Sequence, residues 1–235
     1  MSPHAAGPRP DPQFARARFL LSCAQHAQLP ADDLPEVAFA GRSNAGKSSA
    51  LNALCAQGGL ARVSKTPGRT QLLNLFEVPG LGRLVDLPGY GYAEVPAAVR
   101  QGWRALVGGY LESRPNLRGV VLVMDVRHPL TDFDRQMLDW CGARNQAVHV
   151  LLTKSDKLGF GASRSALKSV TATIAPRFSV QLFSAPEKTG IDEARAVLRR
   201  WLSASPEAEK KVPGDSGGNH RATVSGLGVP DPPRE

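Results

Sequence analysis

Eight consecutive residues, Gly41-Arg42-Ser43-Asn44-Ala45-Gly46-Lys47-Ser48, satisfy every fixed position of the pattern G-x-x-x-x-G-K-[ST]. The short apolar run Val37-Ala38-Phe39-Ala40 before them has the composition of a buried strand, and residues 49–56 read as a helix. Strand, loop and helix therefore follow in the order such a loop requires. Gly41 and Gly46 let the backbone wrap closely around an anion, with its N–H groups turned inward and the positive end of the helix behind them. Lys47 would reach the β- and γ-phosphates of a nucleotide. The Ser48 hydroxyl stands where it can enter the coordination sphere of Mg²⁺, a small cation that shares oxygen ligands among protein, phosphate and water. A plain Gly/Ser-rich turn has the same spelling, so the decision between the two rests on the rest of the chain.

The rest of the chain alternates strand with helix. Residues 58–70 are polar, rich in Gly and Lys/Arg, and read as a long loop of the kind that is often functional. Strand-like runs at 72–78 and 83–86 are joined by Pro79-Gly80-Leu81-Gly82, a connection short enough to make them antiparallel. A helix over 96–112 places Val99, Trp103, Leu106, Val107, Tyr110 and Leu111 on one face. Then come a strand at 120–125, a helix from Thr131 whose Thr131 and Asp134 resemble a capping box, and a strand at 147–152. A helix at 165–174, a strand at 178–183 and a helix at 189–202 complete the series. This pattern predicts an α/β fold of three layers, a mostly parallel six-stranded sheet with one antiparallel strand and helices on both faces. Ligands of such sheets bind outside the carboxyl ends of the strands, where the glycine-rich loop already lies.

Length and composition set the domain organisation. With 235 residues, 42% hydrophobic and 21% charged, the chain suits one medium domain, expected over 34–203. Residues 1–33 are expected to be a largely flexible extension, although 14–29 could add a short strand, and 204–235 a disordered tail. The apolar stretch 119–124 is far below the roughly 20 residues needed to cross a bilayer, and Arg16 and Arg18 precede too short an apolar run for a signal peptide. Cys23, Cys55 and Cys141 are odd in number and widely spaced, which points to reduced, packing thiols. A cytoplasmic protein is the resulting expectation, with monomer as the default state and neither DNA nor membrane as partner. Net charge is +8, and residues 204–235 hold four Lys/Arg against five Asp/Glu, so 1–203 carry 25 minus 16, or +9. A basic domain favours a polyanionic partner such as RNA.

Three further stretches carry chemistry. Asp86-Leu87-Pro88-Gly89 closes an apolar strand, so that Asp86 can hold a metal, usually through water, and the Gly89 N–H can sense a γ-phosphate. Thr153-Lys154-Ser155-Asp156 follows another strand. Its Asp156 carboxylate offers two acceptors matched to guanine N1–H and N2–H₂, a donor pair that adenine lacks. Phe183-Ser184-Ala185 ends the next strand and could turn backbone N–H groups toward guanine O6. Each stretch alone is compatible with an ordinary turn, but all lie in order at carboxyl ends of predicted strands.

At this point the sequence resembles the EngB (YihA/YsxC) family of ribosome-assembly GTPases, in the translation-factor class of P-loop GTPases with a Ras-like fold. The carrying strings are residues 34–44, the stretch Thr66-Pro67-Gly68-Arg69-Thr70-Gln71, residues 85–93, and Val123-Met124-Asp125-Val126-Arg127-His128-Pro129, within a match from about 34 to 202. The resemblance implies GTP and GDP as ligands, phosphate contacts from residues 41–48, switch I at Gly68, Arg69, Thr70, Gln71 and Leu72, and the start of switch II at Asp86, Leu87, Pro88 and Gly89. It implies base contacts from Thr153, Lys154, Ser155, Asp156, Phe183, Ser184 and Ala185, and Mg²⁺ ligands in Ser48 and Thr70. Lys47, Thr70 and Gly89 take the catalytic roles. Thr153 stands where GTPases in general often have Asn, which predicts a weaker backbone-orienting contact. Asn44 resembles a residue that assists K⁺ in related GTPases, and Tyr90 occupies the place of a water-positioning Gln, so slow intrinsic hydrolysis is expected, stimulated by K⁺ or a ribosomal partner. Large ribosomal subunit assembly, ribosomal RNA as partner, and a need in cell division and septation are implied in the same way. Two competing readings remain at this point: a metabolic phosphotransferase using the same loop, and an RNA-binding module with a structural nucleotide site.

Overall fold

The computed structural model describes residues 11–61, 72–89 and 97–204. In chain order the elements are α1 (Pro12–Ala15), β1 (Arg18–Cys23), a 3-10 turn at His26–Gln28, β2 (Glu36–Gly41), α2 (Lys47–Leu54), β3 (Leu73–Val78), β4 (Gly82–Asp86) and α3 (Ala97–Ser113). They continue with β5 (Leu117–Asp125), α4 (Asp132–Ala143), β6 (Val148–Thr153), a 3-10 turn at Ser155–Lys157, α5 (Phe160–Thr173), β7 (Ser179–Leu182) and α6 (Ile191–Ser203). The strands form one sheet in the order β1-β3-β4-β2-β5-β6-β7. β2 pairs parallel with both β4 and β5, and β5–β6 and β6–β7 are parallel as well. Only β3 runs against its neighbours, because the Pro-Gly turn returns the chain directly into β4.

The central strands are buried on both faces, which is why β2 and β5 read as nearly continuous apolar runs rather than alternating ones. One face carries Ala38, Val85, Val120 and Leu122 against Val107 and Tyr110 of α3, Phe133 and Met137 of α4, and Val170 of α5. The other face carries Val37, Phe39, Val121 and Val123 against Leu51 and Leu54 of α2 and Ala194, Leu198 and Trp201 of α6. The expected capping box forms at α4: Thr131 Oγ1 accepts from Asp134 N at 3.4 Å, and the Asp134 carboxylate accepts from Thr131 N at 3.0 Å. On α3, Leu106, Val107, Tyr110 and Leu111 are buried as the helical spacing requires, while the side chains of Val99 and Trp103 lie outside the described residues.

The sheet has seven strands where the sequence pattern predicts six. The seventh, β1, is an edge strand that pairs antiparallel with β3 and carries a bulge between Phe19 and Leu21. Ser22 Oγ donates to Asn74 Oδ1 at 2.7 Å, Arg18 pairs with Glu77 at 2.8 Å, and Phe19 meets Phe76 edge-on at 6.0 Å. Ahead of it, Asp11 caps α1 and holds Arg199 of α6 at 2.7 Å, with Phe14 fully buried beneath. Residues 11–33 therefore build on the domain rather than trailing from it. Helix α5 also starts earlier than expected, at Phe160, because the flanking Gly159 and Gly161 mask the helical pattern.

At the amino ends of β2 and β4, opposite the glycine-rich loop, lies a buried charge network. Glu36, fully buried, accepts from Tyr110 OH at 2.9 Å and from Arg114 Nε at 2.9 Å and Nη2 at 2.6 Å. Arg83 lies 3.4 Å from the same carboxylate and pairs with Asp32. This network ties β2, β4 and α3 together at the end of the sheet away from the site. Among the described residues, no helix is long and apolar enough to cross a membrane.

Candidate nucleotide site

The carboxyl end of β2 lies hard against β5. A Cβ on Gly41 would stand 2.6 Å from the Val123 carbonyl oxygen, so only glycine fits there. The chain then turns through residues 42–46, with Ala45 N donating to Arg42 O at 3.0 Å. Asn44 (φ 63°) and Gly46 (φ 100°) are in the left-handed region, the backbone form that turns successive N–H groups into a concavity for an anion. Helix α2 begins directly afterwards, and no side chain caps its Gly46 start. Its first-turn amides thus fit a bound phosphate in place of a capping side chain.

β4 runs parallel to β2 and delivers Asp86 opposite Phe39 in the register. The Asp86 carboxylate accepts from the Lys47 ammonium, and each side chain is only 11% exposed. Leu87 N donates to Phe39 O at 3.0 Å, and the chain then passes Pro88 to reach Gly89, which backs onto Ser43 of the loop. The Ser43 Oγ is buried with no hydrogen-bond partner among the described residues. Residues far apart in sequence, Lys47, Asp86 and Gly89, thus converge on one loop. Leu72 lies half-buried just before β3, whereas Gly68, Arg69, Thr70, Gln71 and Tyr90 fall outside the described residues.

The second half of the site is at the ends of β6 and β7. Thr153 is 3% exposed, and its hydroxyl meets the carbonyls of Met124 (2.9 Å) and Ala45. The Thr153 hydroxyl thus makes the backbone contact expected at this place and joins β6 to the phosphate loop. Lys154, in the left-handed region, sends its ammonium to Asn44 O at 2.6 Å and Asp125 Oδ2 at 3.0 Å. Ser155 N donates to Phe183 O at 3.2 Å, which locks the turns that follow β6 and β7 together.

Asp156 is held from two sides: Ser184 Oγ donates to Oδ1 at 2.7 Å, and Lys157 Nζ lies 3.2 Å from Oδ2. The Ser184 hydroxyl, and after it Lys157, keep this carboxyl below the usual carboxylate range. Ser184 is itself fixed by paired backbone bonds with Thr189, and its Oγ accepts from Glu187 N at 3.2 Å. Phe183, 1% exposed, anchors the turn in the core, and Ala185 opens onto a cavity of about 820 Å³ between α1, α2 and α6.

Two roles escaped the sequence reading. Asp125 grips Lys154 and is in turn clasped by Arg127, with Nε at 2.9 Å and Nη2 at 2.6 Å. The Arg127 guanidinium, followed by Lys154, holds its carboxyl well below the ordinary value. Its signal was in the 123–129 string, which carried no assigned chemistry. The Ser184 side chain, read only as part of a backbone turn, is the aligner of Asp156.

The sheet order, the glycine-rich loop and the converging strand ends agree with the comparisons to known proteins. The family described as 50S ribosome-binding GTPase matches residues 36–154. The probable GTP-binding protein EngB of Methylococcus capsulatus is 53% identical over 201 residues, which cover 84% of this chain and 96% of that protein. Among solved structures, a crystal structure of a probable GTP-binding protein engB superposes with a TM-score of 0.58 at 20% identity, over 71% of this chain and 98% of that one. Era in complex with MgGDPNP and nucleotides 1506–1542 of 16S ribosomal RNA gives 0.56 at 19% identity, over 73% of this chain and 57% of that one. These two likenesses bear on the fold alone. Fold and family together define a P-loop GTPase, a GTP-binding enzyme with a mostly parallel sheet covered on both faces. Within that class the chain belongs to the EngB family.

Proposed function

We propose that this GTPase is a nucleotide-dependent switch acting in assembly of the large ribosomal subunit, in the cytoplasm, with ribosomal RNA in its binding surface. The observation that carries the reading is the convergence of Lys47, Asp86 and Gly89 on one loop, because a switch needs a single phosphate to be felt by two separate segments. Residues 41–48 hold the phosphates, Lys47 reaches the terminal ones, and Asp156 with the 183–185 turn selects guanine. A magnesium ion, when bound, supplies charge neutralisation at the terminal phosphates. Ser48 and Thr70 would be its protein ligands, with Asp86 acting through water, a hydroxyl and carboxylate oxygen set that suits a hard cation. Asn44 is the candidate to assist K⁺, and turnover in matched KCl and NaCl, with and without Asn44→Ala, tests it.

The match to the 50S ribosome-binding GTPase family and the +9 balance of residues 1–203 support the ribosomal part of the reading. A role in cell division and septation rests on the family resemblance, and monomer remains the expected state. The test is co-sedimentation of purified protein with large subunits or their precursors when loaded with GDP, GTP or a non-hydrolysable GTP analogue. Binding that depends on the nucleotide and weakens with salt is expected. Binding that is absent, or identical in every nucleotide state, would defeat the proposal even with GTP hydrolysis intact.

A further inference from the structure

Helix α5 shows no acidic side chain to solvent. The 30 residues from 157 to 186 contain no Asp or Glu but include Lys157, Arg164, Lys168 and Arg177. The inner face of α5 is spent on the sheet through Ala166, Leu167 and Val170. On the outside stands Phe160, 78% exposed, the most exposed of the large apolar side chains among the described residues. Phe160, Arg164 and Lys168 follow at intervals of four, so they share a stripe roughly 80° wide and about 12 Å long. The Arg164 guanidinium lies over the Phe160 ring at 5.4 Å from its centroid. Neither Arg164 nor Lys168 pairs with a carboxylate among the described residues, and the rest of the exposed surface of α5 consists of small, uncharged side chains, Gly, Ala, Ser and Thr.

A phenyl ring gains nothing from standing in water, and two cations without counter-charges raise the local potential. Their combination on one stripe matches what an unpaired stretch of nucleic acid presents: a base with a π-face, flanked by phosphates. We infer that the outward face of α5 is a contact for single-stranded RNA, in which a base stacks on Phe160 and the neighbouring phosphates are taken by Arg164 and Lys168. This rests on the ribosomal reading proposed above and names the surface through which it works. An anionic membrane surface fits less well. A helix lying in a lipid interface needs a free apolar face, and the apolar face of α5 is already packed on the sheet.

The test uses the full chain loaded with GDP or with a non-hydrolysable GTP analogue, and a fluorescein-labelled, unstructured 12-nucleotide RNA read by anisotropy. Phe160→Ala should weaken binding by about 5- to 160-fold, the range that removing one stacked base spans, and Phe160→Trp should restore it. The double substitution Arg164→Gln/Lys168→Gln should flatten the log–log salt dependence by about 1.4, at roughly 0.7 for each phosphate contact on a single strand. Labelled GDP should bind all variants equally, since none of these side chains contributes to the nucleotide site. If the unmodified protein binds RNA or large subunits and the variants bind them equally well, the α5 face is not the contact and the inference falls while the ribosomal reading stands. If the variants lose adhesion to phosphatidylserine vesicles but keep RNA affinity, the face belongs to a lipid surface and the inference is again overturned. If the unmodified protein binds neither RNA nor subunits at low salt in either nucleotide state, the ribosomal reading itself fails.

Discussion

Replacing Ser184 by alanine tests whether base recognition depends on a carboxylate that is aligned before the nucleotide arrives. The Ser184 side chain is almost fully buried, donates to Asp156 Oδ1 at 2.7 Å, and accepts from Glu187 N at 3.2 Å. A hydrogen bond to an ionised partner contributes about 1.5–3 kcal/mol. Because Lys157 still holds the second oxygen at 3.2 Å, the lower end applies, about 1.5 kcal/mol, which is about a tenfold loss of GDP and GTP affinity. Without the hydroxyl the carboxylate is left to Lys157, and a bound base must reorient it at the expense of that ion pair. Loss of the Glu187 N contact acts separately on stability, at about 0.5–1.5 kcal/mol. Calorimetric titration with GDP measures the first effect and thermal unfolding of the free protein the second. A cycle with Asp156→Ala supplies the decisive comparison, since Ser184→Ala should be nearly silent once the carboxylate is gone, a coupling of at least about 0.5 kcal/mol. Unchanged affinity in Ser184→Ala, or losses that simply add, would refute the alignment argument.

Asp156→Asn should weaken GTP by more than about 1 kcal/mol while leaving the already poor affinity for ATP unchanged, because an amide offers guanine one acceptor and one mismatched donor; competition calorimetry reads the ratio. Glu36→Gln should cost about 3–5 kcal/mol by leaving Arg114 and Arg83 without their buried counter-charge, seen as a fall in Tm of roughly 6–20 °C with guanine affinity little changed, since the network lies at the opposite end of the sheet. His149, bonded to Ser179 Oγ at 2.7 Å and Gln181 Oε1 at 2.8 Å, has its imidazole pushed below the ordinary value by burial. The unfolded chain therefore binds that proton first, and stability should fall as pH drops below about 6.5, by at most about 1.4 kcal/mol per pH unit until the folded-state value is passed. Denaturant titrations at pH 7.5 and 5.5 check this, and His149→Gln should remove the difference. Asp156 and Asp125 have lowered values, so their contributions are fully present above about pH 4 and are lost only as pH falls through those lowered values; guanine selectivity should stay level from pH 8 to 5.

How much of this was legible in the sequence follows from how far each feature reaches along the chain. Residues 41–48 were readable because a phosphate loop is made by its own backbone: two glycines, a lysine and a hydroxyl at fixed offsets determine it with little help from elsewhere. Asp86 to Gly89 and residues 153–156 were readable for a related reason, since each is a short string ending a strand that announces itself by apolar composition. The edge strand β1 was legible only as a short strand that 14–29 could add, without its place in the sheet, because Arg18–Cys23 is half exposed and its position depends on pairing with β3, 50 or more residues away in sequence. The start of α5 was not legible, because local glycines argue against the helix that packing on β7 supports.

The division is clearest at single side chains. Residue order alone supplies the available groups, an acid at 156, a serine at 184, a threonine at 153, an acid at 125, and sets the strand ends carrying them toward one edge of the sheet. Which of them meet is settled by the packed sheet: Ser184 turns to Asp156 across 28 residues, Thr153 to the Ala45 carbonyl across 108, and Lys154 bridges Asn44 and Asp125. A hydrogen bond acts over about 3 Å and depends on direction, whereas sequence pattern reports only periodicity and spacing along one chain. Parallel pairing of β2, β5, β6 and β7 brings those ends into register side by side, and until that sheet exists none of these contacts has a length or an angle.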